Sequence, residues 1–199
     1  YLDAEFGKLE MAKFVPAKEL LKRLMKSQIE TGMPYIAFKD TLNRYNPNKH
    51  DGVIVGTNLC TESHSNVRPA KFAEKRIENG KIISETSDGL VHVCNLVSIN
   101  LANLENDEEL ESICQTSVRI LDNAIDFTQV PILEGSQHNQ RYRTIGVGAM
   151  GLADMLAKNN IPYINSADYV DELFEKMAIY NIKASIELAK KKGTFGAYK

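Results

Sequence analysis

Residues 90–101, with the sequence LVHVCNLVSINL, contain the clearest β-strand pattern in the chain and decide its fold class. Successive side chains of a strand point to opposite faces of the sheet, so residues two apart share a face. One face carries Val91, Val93, Val97, Ile99 and Leu101, and the other carries His92, Cys94, Ser98 and Asn100. The pattern predicts a strand with an apolar packing face and a polar, reactive face, as in an α/β barrel whose helices lie outside a working interior.

Helical patterns lie on both sides of this strand. The predicted helices are residues 16–31, ended by Gly32, and residues 107–127, 144–158 and 167–192. Their apolar stripes include Leu20, Leu21, Leu24 and Met25 in the first helix, Leu110, Ile113, Cys114, Leu121, Ala124 and Ile125 in the second, and Leu173, Met177, Tyr180, Ala184 and Leu188 in the last. Residues 39–52 are predicted as a loop, residues 53–55 as a strand or extended segment, and Asn79-Gly80 as the turn of a hairpin. Together these elements predict an α/β protein.

Composition excludes several classes of protein. The chain has 199 residues, a net charge of −2, 43% hydrophobic residues and three cysteines. Nothing in this balance favours nucleic acid or an anionic membrane surface, and no apolar run approaches the roughly 18 residues of a membrane helix. Three cysteines do not form the disulfide framework of a small secreted domain, so a reducing, cytoplasmic location is expected. The first residue, Tyr1, and the uncapped last residues suggest cuts through a longer protein.

The segment Asn58-Leu59-Cys60-Thr61-Glu62 combines an amide, a thiol and a carboxylate at alternate positions. In an extended loop these three side chains would share one side. The amide could orient a hydroxyl, the carboxylate could accept a proton, and the thiol could act as a nucleophile or as a hydrogen-atom carrier. The alternative is a polar loop with a buried cysteine. Cys94, on the polar face of the predicted strand, also has a plain alternative as a buried free thiol.

The segment of residues 58–62 resembles the N-L-C-x-E finger loop of ribonucleotide reductase large subunits. Further matching segments follow the family order along the chain: Gly32-Met33-Pro34-Tyr35-Ile36, the strand Val93 to Leu101, Arg143-Thr144-Ile145-Gly146-Val147-Gly148, and Glu187-Leu188-Ala189-Lys190 with Gly193. The resemblance covers nearly the whole chain. Each segment is weak evidence, whereas the ordered set is specific.

The resemblance implies roles for four residues. Cys60 would carry the thiyl radical that abstracts the 3′ hydrogen of the ribose, and Glu62 would accept the proton of the 3′ hydroxyl. Asn58 would hydrogen-bond and orient the ribose, so that Asn58, Cys60 and Glu62 form the catalytic and substrate-binding set. Cys94 would be half of a redox-active disulfide whose partner cysteine precedes residue 1. Cys114 does not replace that partner, because it lies on the apolar stripe of a predicted helix.

The implied fold is part of the ten-stranded α/β barrel of these subunits, with residues 1–199 forming a partial catalytic domain. Within it lie an interior finger loop at about residues 56–63, the redox-cysteine strand at about 90–101 and helical packing segments over 107–192. The implied partners are a ribonucleoside diphosphate or triphosphate, the rest of the large subunit in a homodimer, and a radical generator. That generator is a metal-containing small subunit or cobalamin, and thioredoxin or glutaredoxin is the reductant. This segment itself is expected to bind no cofactor and to be inactive alone.

Three other interpretations compete with the resemblance. A zinc module could use Cys60, His64, His92 and Cys94 as its ligands. Residues 146–151 match G-x-G-x-x-G literally, but a polar stretch precedes them where a dinucleotide-binding turn needs a buried strand, so these glycines are predicted to allow close helix packing. The stripes of 107–127 and 167–192 could also belong to a non-catalytic helical interaction domain, although packing against a barrel explains them more simply.

Overall fold

A computed structural model describes Gly7, residues 12–73 and residues 75–198. The chain divides into two units, one ending at Phe38 and one beginning at Lys39. In the first unit, helix α1 spans Ala17–Thr31 and ends at Gly32, whose φ of 73° places it in the left-handed region that favours glycine. The predicted helix and its end are therefore confirmed. No residue of α1 is buried, so the predicted apolar stripe remains largely exposed.

The second unit begins with helix α2, Lys39–Arg44, where the sequence predicted a loop. The side chain of Asn43 joins this helix to the segment that was predicted as a strand. Its Nδ2 donates to the carbonyl of Ile54 at 2.8 Å, and its Oδ1 accepts from the Ile54 N–H at 2.9 Å. An asparagine side chain thus satisfies the backbone groups that a neighbouring strand would otherwise satisfy, so Ile54 is buried outside any strand.

Four short strands form an arm within the polar stretch before residue 90. β1, Lys71–Phe72, pairs with β4, Thr86–Ser87, and β2, Arg76–Glu78, pairs with β3, Lys81–Ile83. Both pairs are antiparallel. Asn79 and Gly80 connect β2 to β3 with φ values of 50° and 74°, the combination that a two-residue hairpin turn requires. The predicted hairpin is confirmed.

β5, Leu96–Asn100, and β6, Gly146–Met150, form a parallel pair. Between them run a 3₁₀ turn and two α-helices, α3 at Asp107–Phe127 and α4 at Leu133–Tyr142. After β6 come α5, Leu152–Lys158, and α6, Ala167–Lys192. A crossover of this kind is the ordinary way to connect parallel neighbours. The described strands form three two-stranded sheets and no closed barrel. Of the expected barrel, the described residues contain only the parallel pair of β5 and β6.

Two of the predicted boundaries are wrong. The strand predicted over 90–101 is regular only from Leu96 to Asn100. The helix predicted over 144–158 is a strand as far as Met150 and becomes helical only at Leu152. Gly146 pairs with Leu96 of β5, and a Cβ at Gly146 would lie 2.6 Å from Cδ2 of Leu96, so this glycine lies against a strand rather than against a helix.

The main core lies between β5 and the helices. Its buried members are Ile99, Leu101, Leu110, Cys114, Met155 and Met177. The apolar stripes predicted for α3 and α6 face this core, and Cys114 is one of its fully buried side chains. The packing face predicted for the strand is confirmed at Ile99 and Leu101, whereas Val91 is 44% exposed. Among the described residues, no helix is long and apolar enough to cross a membrane.

Candidate active site

Residues 58–63 form a tight turn rather than the extended loop that was predicted. The N–H of Thr61 donates to the carbonyl of Asn58 at 3.2 Å, and Thr61 has a φ of 64°. Ser63 closes the turn, since its N–H donates to Oδ1 of Asn58 at 3.1 Å and its carbonyl accepts from the Asn58 N–H at 3.4 Å. Because the backbone is not extended, residues two apart do not share one side here. The turn determines which side chains come into contact.

The turn brings two of the three predicted catalytic side chains together. Nδ2 of Asn58 donates to Oε1 of Glu62, which pairs the amide with the carboxylate. Cys60 lies between them in the sequence and is exposed as a free thiol. The expected burial of Cys60 in a barrel interior is therefore not seen in this chain. A carboxylate held by an amide, in the same turn as an accessible thiol, can accept a proton from a bound hydroxyl.

Cys94, the predicted redox cysteine, is also exposed and free. It lies just before β5, in a segment held by α4 instead of by a second strand. The N–H of Val91 donates to the carbonyl of Glu134 at 3.1 Å, and Nδ2 of Asn95 donates to Oδ1 of Asn139 at 3.1 Å. Asn95 also donates to the carbonyl of Thr144 at 3.0 Å. These contacts explain why the regular strand begins only at Leu96.

His92 connects the segment of Cys94 to the turn. Its Nε2 lies within hydrogen-bonding distance of Oγ of Ser63, the residue that follows Glu62. The sequence had placed His92 on the same strand face as Cys94 and assigned it only to the zinc alternative. The hydrogen bond gives His92 a different role, since it joins two parts of the candidate site that lie 29 residues apart.

A second histidine, His138 of α4, packs against His92 with ring centroids 4.9 Å apart and an interplanar angle of 63°. His138 is fully buried, and its Nε2 is 2.9 Å from Oγ of Ser65. Its other neighbour is Tyr142, with ring centroids 4.9 Å apart. The sequence gives no signal for His138, because it lies in the polar stretch that precedes residues 146–151. Helix α4 buries His138, Asn139 and Tyr142, so hydrophobic periodicity gives no signal for it.

Burial controls the protonation of both histidines. Desolvation and, after it, the neighbouring His92 lower the pKa of His138 to about 4. Desolvation and His64 also lower the pKa of His92, while the carboxylate of Glu62 opposes this shift. Both rings are therefore neutral near pH 7, where each has one N–H donor and one acceptor nitrogen.

Asp51 hydrogen-bonds Tyr142, the aromatic neighbour of His138. Its carboxylate accepts two hydrogen bonds from the guanidinium of Arg141 and one, at 2.6 Å, from the hydroxyl of Tyr142. Nδ2 of Asn66, which is also buried, is 3.4 Å from the same hydroxyl. The hydrogen bonds from Arg141 hold the pKa of the Asp51 carboxyl well below its usual range. The loop before the turn and helix α4 are thus joined by a partly buried ion pair.

A cavity of about 560 Å³ lies between α3, α4 and the end of α6, away from the turn. Its charged wall consists of Asp122, Asp126, Arg143 and Lys192. Arg143 donates to both carboxylates, and Lys192 contacts both as well, at 3.0 Å for Asp126. The two acids and two bases balance one another, so this cavity offers no uncompensated charge to an ionic ligand.

Neither of the two site-based alternatives is supported. Over the ranges 12–73 and 75–198, no group of three or more His, Cys, Asp or Glu side chains could hold a metal ion. The zinc site expected from Cys60, His64, His92 and Cys94 is therefore not supported. Gly146 and Gly148 lie inside β6 rather than in a turn between a strand and a helix, so the dinucleotide-binding interpretation fails as well.

Comparison with known proteins identifies the family of this chain. The family described as "Ribonucleotide reductase, barrel domain" matches residues 1–199. The chain belongs to this family. It is 46% identical over 190 residues to the ribonucleoside-diphosphate reductase subunit alpha of Synechocystis, which covers 96% of the chain and 22% of the relative.

Two further relatives carry the same name. The subunit alpha of Treponema pallidum is 35% identical over 192 residues, covering 92% of the chain and 23% of that protein. The subunit alpha of Helicobacter pylori strain 26695 is 33% identical over 234 residues, covering 98% and 30% respectively. The chain thus spans about a fifth to a third of the length of these relatives.

Proposed function

We propose that this chain supplies the reaction centre of a ribonucleoside-diphosphate reductase large subunit, an oxidoreductase that makes deoxyribonucleotides. The observation that carries the proposal is the turn of residues 58–63, in which Asn58 donates to the carboxylate of Glu62 and the thiol of Cys60, two residues before Glu62, is accessible. Family membership over the whole chain supports the same reaction, because the relatives are named as reductases of this kind.

In the proposed reaction, a thiyl radical on Cys60 takes the 3′ hydrogen of the ribose. Glu62 accepts the proton of the 3′ hydroxyl, and the 2′ hydroxyl leaves as water after it takes a proton from a thiol of the redox-active pair. Asn58 hydrogen-bonds the ribose and orients it. The reaction needs a short, rigid hydrogen carrier and a nearby base, and the turn supplies both within five residues.

Cys94 is proposed as one of the two thiols that reduce the substrate and become a disulfide. Its exposure next to β5 supports this role, because a redox thiol must be reached by its partner and by a reductant. The link from His92 to Ser63 also supports it, since that link ties the segment of Cys94 to the catalytic turn. The partner thiol would come from the remainder of the subunit.

The complete protein is proposed to act on ribonucleoside diphosphates, to form a homodimer in the cytoplasm and to depend on a separate radical generator. A metal-containing small subunit is the first candidate for that generator, and cobalamin is the second. Thioredoxin or glutaredoxin would restore the thiols. These proposals rest on the family and on the names of the relatives, which are ribonucleoside-diphosphate reductases.

The test is turnover by the complete subunit with its radical generator. We expect Cys60→Ser and Glu62→Ala each to abolish deoxyribonucleotide formation while leaving the far-UV circular dichroism unchanged. Cys114→Ser is the matched control, because Cys114 is buried in the core. This variant should retain turnover even though its free energy of unfolding is lower. Turnover by the Cys60→Ser enzyme near the wild-type rate would overturn the proposal. The 199-residue chain alone should show no turnover.

A further inference from the structure

The hydroxyl of Ser63 ties the turn of residues 58–63 to a segment that is distant in sequence. The backbone of Ser63 makes the two hydrogen bonds that close the turn onto Asn58. The hydroxyl of Ser63 lies within hydrogen-bonding distance of Nε2 of His92. A displacement of Ser63 would therefore move Asn58, and with it the carboxylate of Glu62 that Asn58 holds.

The geometry around His92 suits only the neutral ring. Nδ1 of His92 and Nδ1 of His138 are both buried, and neither has a hydrogen-bonding partner among the described residues. A protonated imidazole has two N–H donors, so protonation would leave a buried N–H without an acceptor. The two ring centroids are 4.9 Å apart, so two positive rings would also repel each other.

We propose that neutral His92, supported by His138, is a positioning residue for the reaction at Cys60. It holds Ser63 through Nε2 and so fixes the orientation of the Asn58–Glu62 pair. His138 supports it by filling the space beneath its ring and by holding Ser65 through its own Nε2 at 2.9 Å. This inference rests on the proposed function of the turn.

A pH dependence follows from this role. The titratable groups facing His92 are Glu62 and His64 from the turn segment and His138 from α4. Desolvation first, and then His64, lower the pKa of His92, while Glu62 acts in the opposite direction. The neutral ring is the working form, so His92 is competent at neutral pH. Turnover should fall as the pH drops through that lowered pKa, because the protonated ring must leave its buried position.

The experiment measures kcat of the complete subunit with its radical generator at several pH values. We expect Ser63→Ala and His92→Leu each to lower kcat between about twofold and tenfold at neutral pH, the effect of losing one neutral hydrogen bond. The double variant should be no slower than His92→Leu alone, because both changes remove the same contact.

The variant His92→Gln separates positioning from simple packing. The glutamine amide can reach the place of Nε2 but does not titrate, so kcat near pH 7 should recover to within about twofold of wild type. The decline in kcat between about pH 7 and pH 5 should become shallower than in wild type. His50→Gln is the matched control. His50 is exposed and contacts the carbonyl of Ala197 instead of the turn, so the wild-type pH profile should persist.

Three results would overturn the inference. They are wild-type kcat in both Ser63→Ala and His92→Leu, additive losses in the double variant, or an unchanged acid decline in His92→Gln. Each of these would leave the proposed function intact, provided that Cys60→Ser is inactive in the same assay. Turnover by Cys60→Ser would instead remove the proposed function and this inference with it. Ser63→Ala and His92→Gln change little volume, so the test stands even where His92→Leu fails to fold.

Discussion

Replacing Asp51 with asparagine tests the ion pair that joins the loop before the catalytic turn to helix α4. The carboxylate of Asp51 accepts three hydrogen bonds, two from Arg141 and one from Tyr142. Asparagine keeps the shape but has one carbonyl oxygen and no charge, so it cannot accept all three. The same substitution at Asp171, an exposed residue of α6, is the matched control.

The magnitude follows from the exposure of the two partners. A hydrogen bond to a charged group contributes about 1.5–3 kcal/mol. The side chain of Asp51 is only 17% exposed, but that of Arg141 is 40% exposed, and solvent weakens the ion pair on that side. We therefore expect Asp51→Asn to lower the free energy of unfolding by about 2 kcal/mol at neutral pH. Asp171→Asn should change it by less than about 0.5 kcal/mol.

The assay is urea unfolding of the chain, followed by far-UV circular dichroism at several pH values. The hydrogen bonds from Arg141 lower the pKa of Asp51 in the folded chain, so its contribution is complete above the unfolded pKa of about 3.9. The contribution is lost as the pH falls through the folded pKa. The difference between wild type and Asp51→Asn should therefore narrow in acid. A difference that is absent at neutral pH, or equally large in acid, would refute the reasoning.

Two further predictions concern the core and the thiols. Leu101→Ala should lower the free energy of unfolding by about 2–5 kcal/mol, because Leu101 is fully buried among the core side chains, and urea unfolding would measure it. A loss below about 1 kcal/mol would contradict the core packing described for Leu101. With a thiol reagent such as Ellman's, Cys60 and Cys94 should react in the folded chain, whereas Cys114 should react only on unfolding, since burial also raises the pKa of its thiol. Fast labelling of all three thiols in the folded chain would show that the core around Cys114 is open.

Hydrophobic periodicity predicted the elements that bury an apolar face. The stripes of α3 and α6 lie against the core as expected, and Cys114 lies in the core as its position on the stripe implied. The same reasoning failed at α4, whose buried residues include His138 and Asn139. A helix that buries polar side chains has no apolar period, and only its hydrogen-bonding partners explain its stability.

The sequence predicted which residues form the candidate site, but it did not predict the conformation of their loop. Asn58, Cys60 and Glu62 were singled out by residue type and by resemblance, and the structure pairs Asn58 with Glu62. The extended loop was the wrong conformation. The turn exists because Ser63 bonds back to Asn58, and such local bonds between polar side chains and backbone compete with extended structure.

The sequence by itself determined the family, the residues that are proposed for the site and the helices whose apolar stripes repeat at helical spacing. These are local properties, carried by residue types and by their separation along the chain. The tertiary structure alone decided that His92 and His138 meet, that Ser63 links the turn to the segment of Cys94, and that residues 146–150 pair with β5. The physical reason is that each of these contacts joins residues far apart in sequence, and their energies depend on burial and geometry that no short pattern encodes.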